Sequence, residues 1–210
     1  MAQAAYLTTV QKSGTTTAMT SEAMATATTV SGTYQITNSA KRVWERTASF
    51  TIRIAGSTVG VPADTSVTWD YLFGKVTFTT TQAGARTITG SYLPMTDVAG
   101  ANSYTLSASR ELVDDTDFSS TGWRSKAVAL KDVSLTMSRW AGVDTAFFDL
   151  INGATPVMCE VKPGSGTLAA RGWFLVSGDV RSGDVATLET AELTFDLDQS
   201  TAASFGWDNQ

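Results

Sequence analysis

The chain has no histidine and a single cysteine, Cys159, among its 210 residues. Without histidine there is no Ser-His-Asp or Cys-His nucleophile system, and no imidazole ligand for zinc or non-haem iron. One thiol cannot close a disulfide within the chain or build a four-cysteine metal site, so nothing points to an oxidising compartment. Cys159 alternates with Met158 and Glu160 on the face of Val157 and Val161. It is expected to act as a small buried hydrophobe. Proline is scarce, 4 residues against 17 glycines, which suits many turns better than a disordered Pro-rich chain. Long apolar runs are lacking too. None approaches the roughly 18 residues of a membrane span, and the start, MAQAAYLTTV, has no basic stretch leading into an apolar core. The expectation is a soluble protein made in a cytoplasm, with no membrane association of its own.

What is abundant is threonine, about a sixth of the chain. Its stiff β-branched side chain suits a half-wet pleated surface better than a helix. Hydrophobic residues make up 42% and charged residues 17%. The length fits one domain over residues 1–210 with a core that needs no staples. Net charge is −5, and it is unevenly placed. Up to Val143 there are 12 basic and 10 acidic residues; from Asp144 onward there are 3 and 10. The acidic C-terminal part is either a solvated sheet face or a surface that repels a polyanion.

Periodicity predicts an all-β chain with one short helix. Residues 1–29 are rich in Ala, Thr and Ser and read as an extended arm. Gly32–Thr37 reads as a short strand, and Asn38 caps the turn that follows. Phe50, Ile52 and Ile54 alternate with polar residues. Val67, Trp69 and Tyr71 form a hairpin with Val76 and Phe78 across Gly74. Arg86–Leu93 is ended by Pro94. Tyr104, Leu106 and Ala108 begin another strand, and Val133, Leu135 and Met137 alternate cleanly. Asp144 is placed to cap a helix through Ile151, with Val143 and Phe148 as its hydrophobic staple and Asn152-Gly153 as its stop. Val157–Val161 alternates, and Arg171–Asp179 is so apolar that both faces are expected to be buried. In Glu189–Asp198, Ala191, Leu193, Phe195 and Leu197 point one way. Glu192, Asp196 and Asp198 point the other. Residues 199–210 read as a loosely tied tail.

Candidate chemistry is thin. Asp114, Asp115 and Asp117 suggest calcium, but an EF-hand started at Asp115 places Ser120 and Lys126 where Gly and Glu are needed. A solvated turn fits better, and no metal is expected. Gly164-Ser165-Gly166-Thr167 lacks the lysine of a phosphate loop, and Gly74-Lys75 lies in a hairpin. No elbow of the Gly-x-Ser-x-Gly kind occurs, although a carboxylate pair for glycoside hydrolysis leaves no sequence signature. Lys41, Arg42 and Arg46 around Trp44 lack wider basic support and read as a solvated turn over a buried ring. The six tryptophans, spread among strands, read as core or interface anchors rather than a sugar platform. Neither an enzyme nor a cofactor is expected.

Taken in order, GTYQITNSAKRVWE, YLFGKVTF, GSYLPM, DDTDFSSTGWRSK, KDVSLTMSRW, DTAFFDLING and RGWFLVSGDVRSGDVATLETAELTFDL give a pattern across residues 14–198. As a whole it resembles the major tail tube proteins of long-tailed bacteriophages. The resemblance implies a β-sandwich or barrel-like domain with one helix. Six such subunits form a ring, with their inner sheets joined into a barrel around a lumen. The implied partners are further copies in stacked rings, the tape-measure protein, the tail terminator and distal tail proteins. Double-stranded DNA would pass through without specific binding. The implied location is the tail of the virion. Glu192, Asp196 and Asp198 are then the candidates to line the lumen. The rival readings are a carbohydrate-binding or adhesin-like β-sandwich, and a terminator or distal tail protein of related fold.

Overall fold

The computed structural model describes residues 8–27, 32–54, 67–79, 84–114, 126–140, 146–164, 168–184, 187–199 and 204–209. They form fourteen strands and one short helix, the all-β class that the alternating patterns predict. The chain divides into two compact units. The first comprises Met1–Val98, Met158–Gly172 and Ser200–Gln210; the second comprises Ala99–Val157 and Trp173–Gln199.

The first unit contains a six-stranded antiparallel sheet. Its strands are β2 (Thr17–Thr26), β3 (Thr33–Ile36), β4 (Thr51–Ile54), β5 (Val67–Asp70), β6 (Lys75–Phe78) and β7 (Arg86–Tyr92), in the order β4-β7-β2-β3-β6-β5. The apolar positions of these strands converge. Met19, Tyr34, Ile36, Ile52, Val76, Phe78 and Ile88 are buried together around Trp44. Phe50 stacks on Trp44 with ring centroids 5.1 Å apart. The expected turn forms as well: Asn38 accepts a 3.1 Å hydrogen bond from the Ala40 amide and caps a 3-10 turn over Ser39–Lys41. Gly74 takes φ 61° in the β5–β6 hairpin, where a Cβ would lie 2.7 Å from the Arg42 carbonyl oxygen.

Four further strands complete the first unit. β8 (Met95–Asp97), β1 (Thr9–Ser13) and β11 (Val157–Lys162) lie side by side in that order. The Leu168–Gly172 part of β12 (Leu168–Ser182) pairs with β14 (Phe205–Asn209). Two expectations fail here. The supposed arm supplies β1 and β2, and β2 is an interior strand between β7 and β3. The supposed loose tail supplies β14, where Gly206 packs against Phe73 and Asp208 pairs with Lys75. Aromatic side chains on both sides of Gly206 give that short segment a surface to bury.

The second unit holds β9 (Ala101–Asp114), β10 (Lys126–Trp140), β13 (Thr190–Leu197) and the Trp173–Ser182 part of β12, all antiparallel, in the order β12-β13-β10-β9. The helix α1 (Ala146–Gly153) buries Phe147 against Phe195, with ring centroids 5.7 Å apart. Phe148, predicted as part of a staple, is instead 51% exposed. Adjacent helix positions are about 100° apart, so one phenylalanine seats and its neighbour turns away. Val143 and Asp144 lie outside the described residues. The helix stops on Ala154, at φ 46°, rather than on the expected Asn152-Gly153.

Candidate functional site

The sheet of the second unit has two chemically opposite faces, and its register assigns them. Directly paired residues of antiparallel strands share a face. Three rungs cross all four strands on one side: Ser107, Ser134, Asp196 and Leu175; Thr105, Thr136, Thr194 and Gly178; Ser103, Ser138, Glu192 and Val180. Alternating with them on the other side are Leu106, Leu135, Phe195 and Val176, then Tyr104, Met137, Leu193 and Asp179. Leu135, Leu193 and Phe195 have no exposed surface, so this second side is the core. The first side is wet: Ser103, Thr105, Ser107, Glu192 and Asp196 are exposed.

That wet face carries hydroxyls and carboxylates, and none of the three rungs contains Lys or Arg. Glu192 and Asp196 lie four residues apart on one strand, about 13 Å. Each is flanked across β10 by a serine, Ser138 and Ser134 respectively. Such a surface offers a polyanion no cationic contact and presents it with like charge. Asp198 does not belong to it. It follows the end of β13, is only 6% exposed, and its amide donates to the Trp173 carbonyl oxygen at 2.8 Å. The alternation that predicted its direction stops with the ladder at Leu197.

The sheet's outer strand is also unusual. β9 pairs with β10 alone, while β10 meets β13 only from Ser134 onward. Residues 108–114 therefore run on as a two-stranded ribbon, and every one of them is exposed. A long unpaired edge of this kind is a template for pairing with another chain.

Two solved structures are similar to this chain at low identity. The first is a chain in the tail of an empty gene transfer agent particle, solved with helical refinement in C6 symmetry. The match is 17% identical, covers 56% of this chain and 87% of that one, and has a TM-score of 0.45. The second is a chain in the virion of a native gene transfer agent particle, at 17% identity, 54% and 88% coverage and a TM-score of 0.46. At these values neither likeness assigns a function to this chain. No protein family and no curated protein matches the sequence.

The first unit has a charged cluster that periodicity did not reveal. Val157–Val161 is buried on both faces, and Glu160 has no exposed surface. Its carboxylate pairs with Arg171, itself 3% exposed, and with Lys162. Arg171 also donates to the Leu72 carbonyl oxygen at 2.7 Å. Burial pulls the Arg171 guanidinium below its ordinary value, against the opposing pull of Glu160. These groups border a cleft of about 400 Å³ that Tyr92, Pro94 and Met95 also line. Spacing alone could not have found the pair, because it forms only when β11 and β12 come together.

The remaining candidates are structural. Trp44 is fully buried, and its indole donates to the Lys41 carbonyl oxygen at 3.0 Å. Cys159 is 3% exposed and burial pushes its thiol up to about 12. Asp115 and Asp117 lie outside the described residues. Among the described residues no cluster of acidic or cysteine ligands could hold a metal ion, and no helix is long and apolar enough to cross a membrane.

Proposed function

We propose that this chain is a structural, non-catalytic subunit of a phage tail tube. The observation that carries the reading is the wet face of the second unit: three successive four-strand rungs of hydroxyl, carboxylate and neutral residues above an apolar core. A conduit for double-stranded DNA needs a wall on which phosphates find no cationic partner, since such contacts supply most nonspecific binding. The strand edges supply the second support. β9 is an end strand of its sheet and pairs with β10 alone. Lateral pairing of β9 in one copy with a strand of the next would cover that edge. Six copies of this sheet would close a barrel of about 24 strands, wide enough to leave a channel rather than a filled core. The whole-chain resemblance to tail tube proteins supports the same role, with the tape-measure, terminator and distal tail proteins as its partners and the virion tail as its location.

Electron microscopy of the concentrated protein, alone and with tail-tip proteins, tests the reading. Six-fold rings or tubes with an open bore are the expected result. A protein that stays monomeric under both conditions would sink it. Rings that never propagate would favour a terminator or distal tail role instead.

A further inference from the structure

The cleft of about 400 Å³ in the first unit has no part in the tube reading. The buried pair of Glu160 and Arg171 lines it, and so does Lys162, whose side chain is 32% exposed. The ladder sets this arrangement. Gln11 pairs directly with Glu160, and Thr9 with Lys162, so β1 and β11 present these side chains on one face. A further carboxylate, Asp97, lies across Gln11; it accepts the Gln11 amide at 2.7 Å and is exposed. Val43, Tyr92, Pro94 and Met95 supply apolar wall. Among the lining residues two cations therefore accompany one carboxylate, an excess of one positive charge.

Arg171 keeps hydrogen-bonding capacity in reserve. Its Nε donates to Glu160 and its Nη1 to the Leu72 carbonyl oxygen. A guanidinium carries its donors in a planar fork, and Nη2 has no hydrogen-bond partner among the described residues. Buried polar groups are otherwise satisfied. Burial pulls this guanidinium below its ordinary value; Glu160 opposes the pull, and the charge of Arg42 adds to it. One more negative charge would ease that burial, whereas a dianion would press against Glu160. Planar carboxylates match an arginine fork and make short, charge-assisted hydrogen bonds with it. We propose that this cleft binds a carboxylate carried on a short apolar stem. The carboxylate meets Arg171 and Lys162, and the stem lies along Tyr92, Pro94 and Met95. A cleft of this size takes a small molecule or a single side chain. A free organic acid and a glutamate side chain of another chain share the chemistry.

Calorimetric titration of the full chain near neutral pH, with valerate and with its neutral amide valeramide, tests the site without any substitution. Saturable binding of valerate is expected, at least about tenfold tighter than valeramide, because only the acid brings a charged partner. Equal binding of acid and amide, or no saturable binding of valerate, would overturn the proposal. So would phosphate bound as tightly as valerate, since phosphate has no stem. A variant then locates the binding. Lys162→Met leaves Arg171 to pair with Glu160 and should still melt cooperatively, while its affinity for valerate falls at least about tenfold. Lys162→Arg should retain the affinity. A folded Lys162→Met protein with the parent affinity would put the binding elsewhere and sink the assignment. N-acetylglutamate N-methylamide reads the source. Binding as tight as that of valerate assigns the cleft to a glutamate side chain of another chain, and binding of valerate alone assigns it to a free acid; either outcome upholds the carboxylate. None of these readouts needs rings or tubes. A failed titration therefore leaves the tube reading standing, and failed assembly leaves the carboxylate site standing.

Discussion

Arg171 ties two parts of the first unit together. Its guanidinium pairs with the fully buried Glu160 and also satisfies the Leu72 carbonyl oxygen in the turn after β5. Truncating one partner of such a pair strands a charge in a dry site. Arg171→Met should therefore cost about 3–5 kcal/mol in denaturant unfolding. Changing Glu160 to Leu in the same protein should recover much of that loss, since an apolar pair of similar volume needs no solvation. A double variant no more stable than Arg171→Met would show that the pair does not act as a unit. Cys159 makes a second case at this scale. Its thiol, ordinarily near 9.0, is held at about 12 by burial. At pH 8 it should ignore a thiol reagent in the folded protein and react promptly in urea. The raised value also fixes a direction with pH. Between pH 9 and 12 the unfolded chain has lost this proton while the folded one retains it. The thiol's contribution to stability is thus complete below pH 9 and is lost as the pH rises toward 12. A Cys159→Ala protein with the same alkaline stability profile would contradict this.

Among the elements, β2 shows why part of the fold was hidden. Met19 and Met24 are both buried, yet they are five positions apart, and in a regular strand an odd separation puts side chains on opposite faces. The register shifts between Met19 and Glu22, where Ser21 takes φ 52°. That irregularity restores both methionines to the core and erases the period-two signal. β13 is the opposite case. Its ladder is unbroken from Thr190 to Asp196 against β10, so the directions of Glu192 and Asp196 were legible from alternation alone. The hydroxyls beside them were not, because they belong to β9 and β10 and only the register brings them together. The burial of Glu160 was not legible because a strand buried on both faces can still alternate. Because β2 is an interior strand, deleting the N-terminal residues removes more than an extended arm. Removing residues 2–20 takes away β1 and the Met19 side of β2 from between its neighbours. The truncated protein should lose its cooperative thermal transition. If it melts normally and only fails to assemble, residues 2–20 behave as an arm after all.

For the whole molecule, the decisive question is which way the wet face of the second unit looks. A lumen and an outer surface would both tolerate carboxylates and hydroxyls, but only a lumen meets DNA. Glu192 and Asp196 can be reversed without touching the core, since both are exposed and their neighbours in the strand carry the burial. The Glu192→Lys and Asp196→Lys double variant should therefore fold with a stability within about 0.5 kcal/mol of the parent and should still form tubes. Its effect should appear in transit. Six copies would convert rings of negative charge into rings of cations, and each lysine that meets a phosphate releases counterions. Ejection through such tubes should slow most near 50 mM salt and recover toward the parent rate by about 200 mM, because that binding falls steeply with salt. Glu192→Gln with Asp196→Asn removes the charge without adding a cation, so it separates lost repulsion from new attraction and should slow ejection far less. If the lysine variant ejects DNA at the parent rate at every salt concentration, the wet face is on the outside. The channel would then have to be lined by some other surface of the chain.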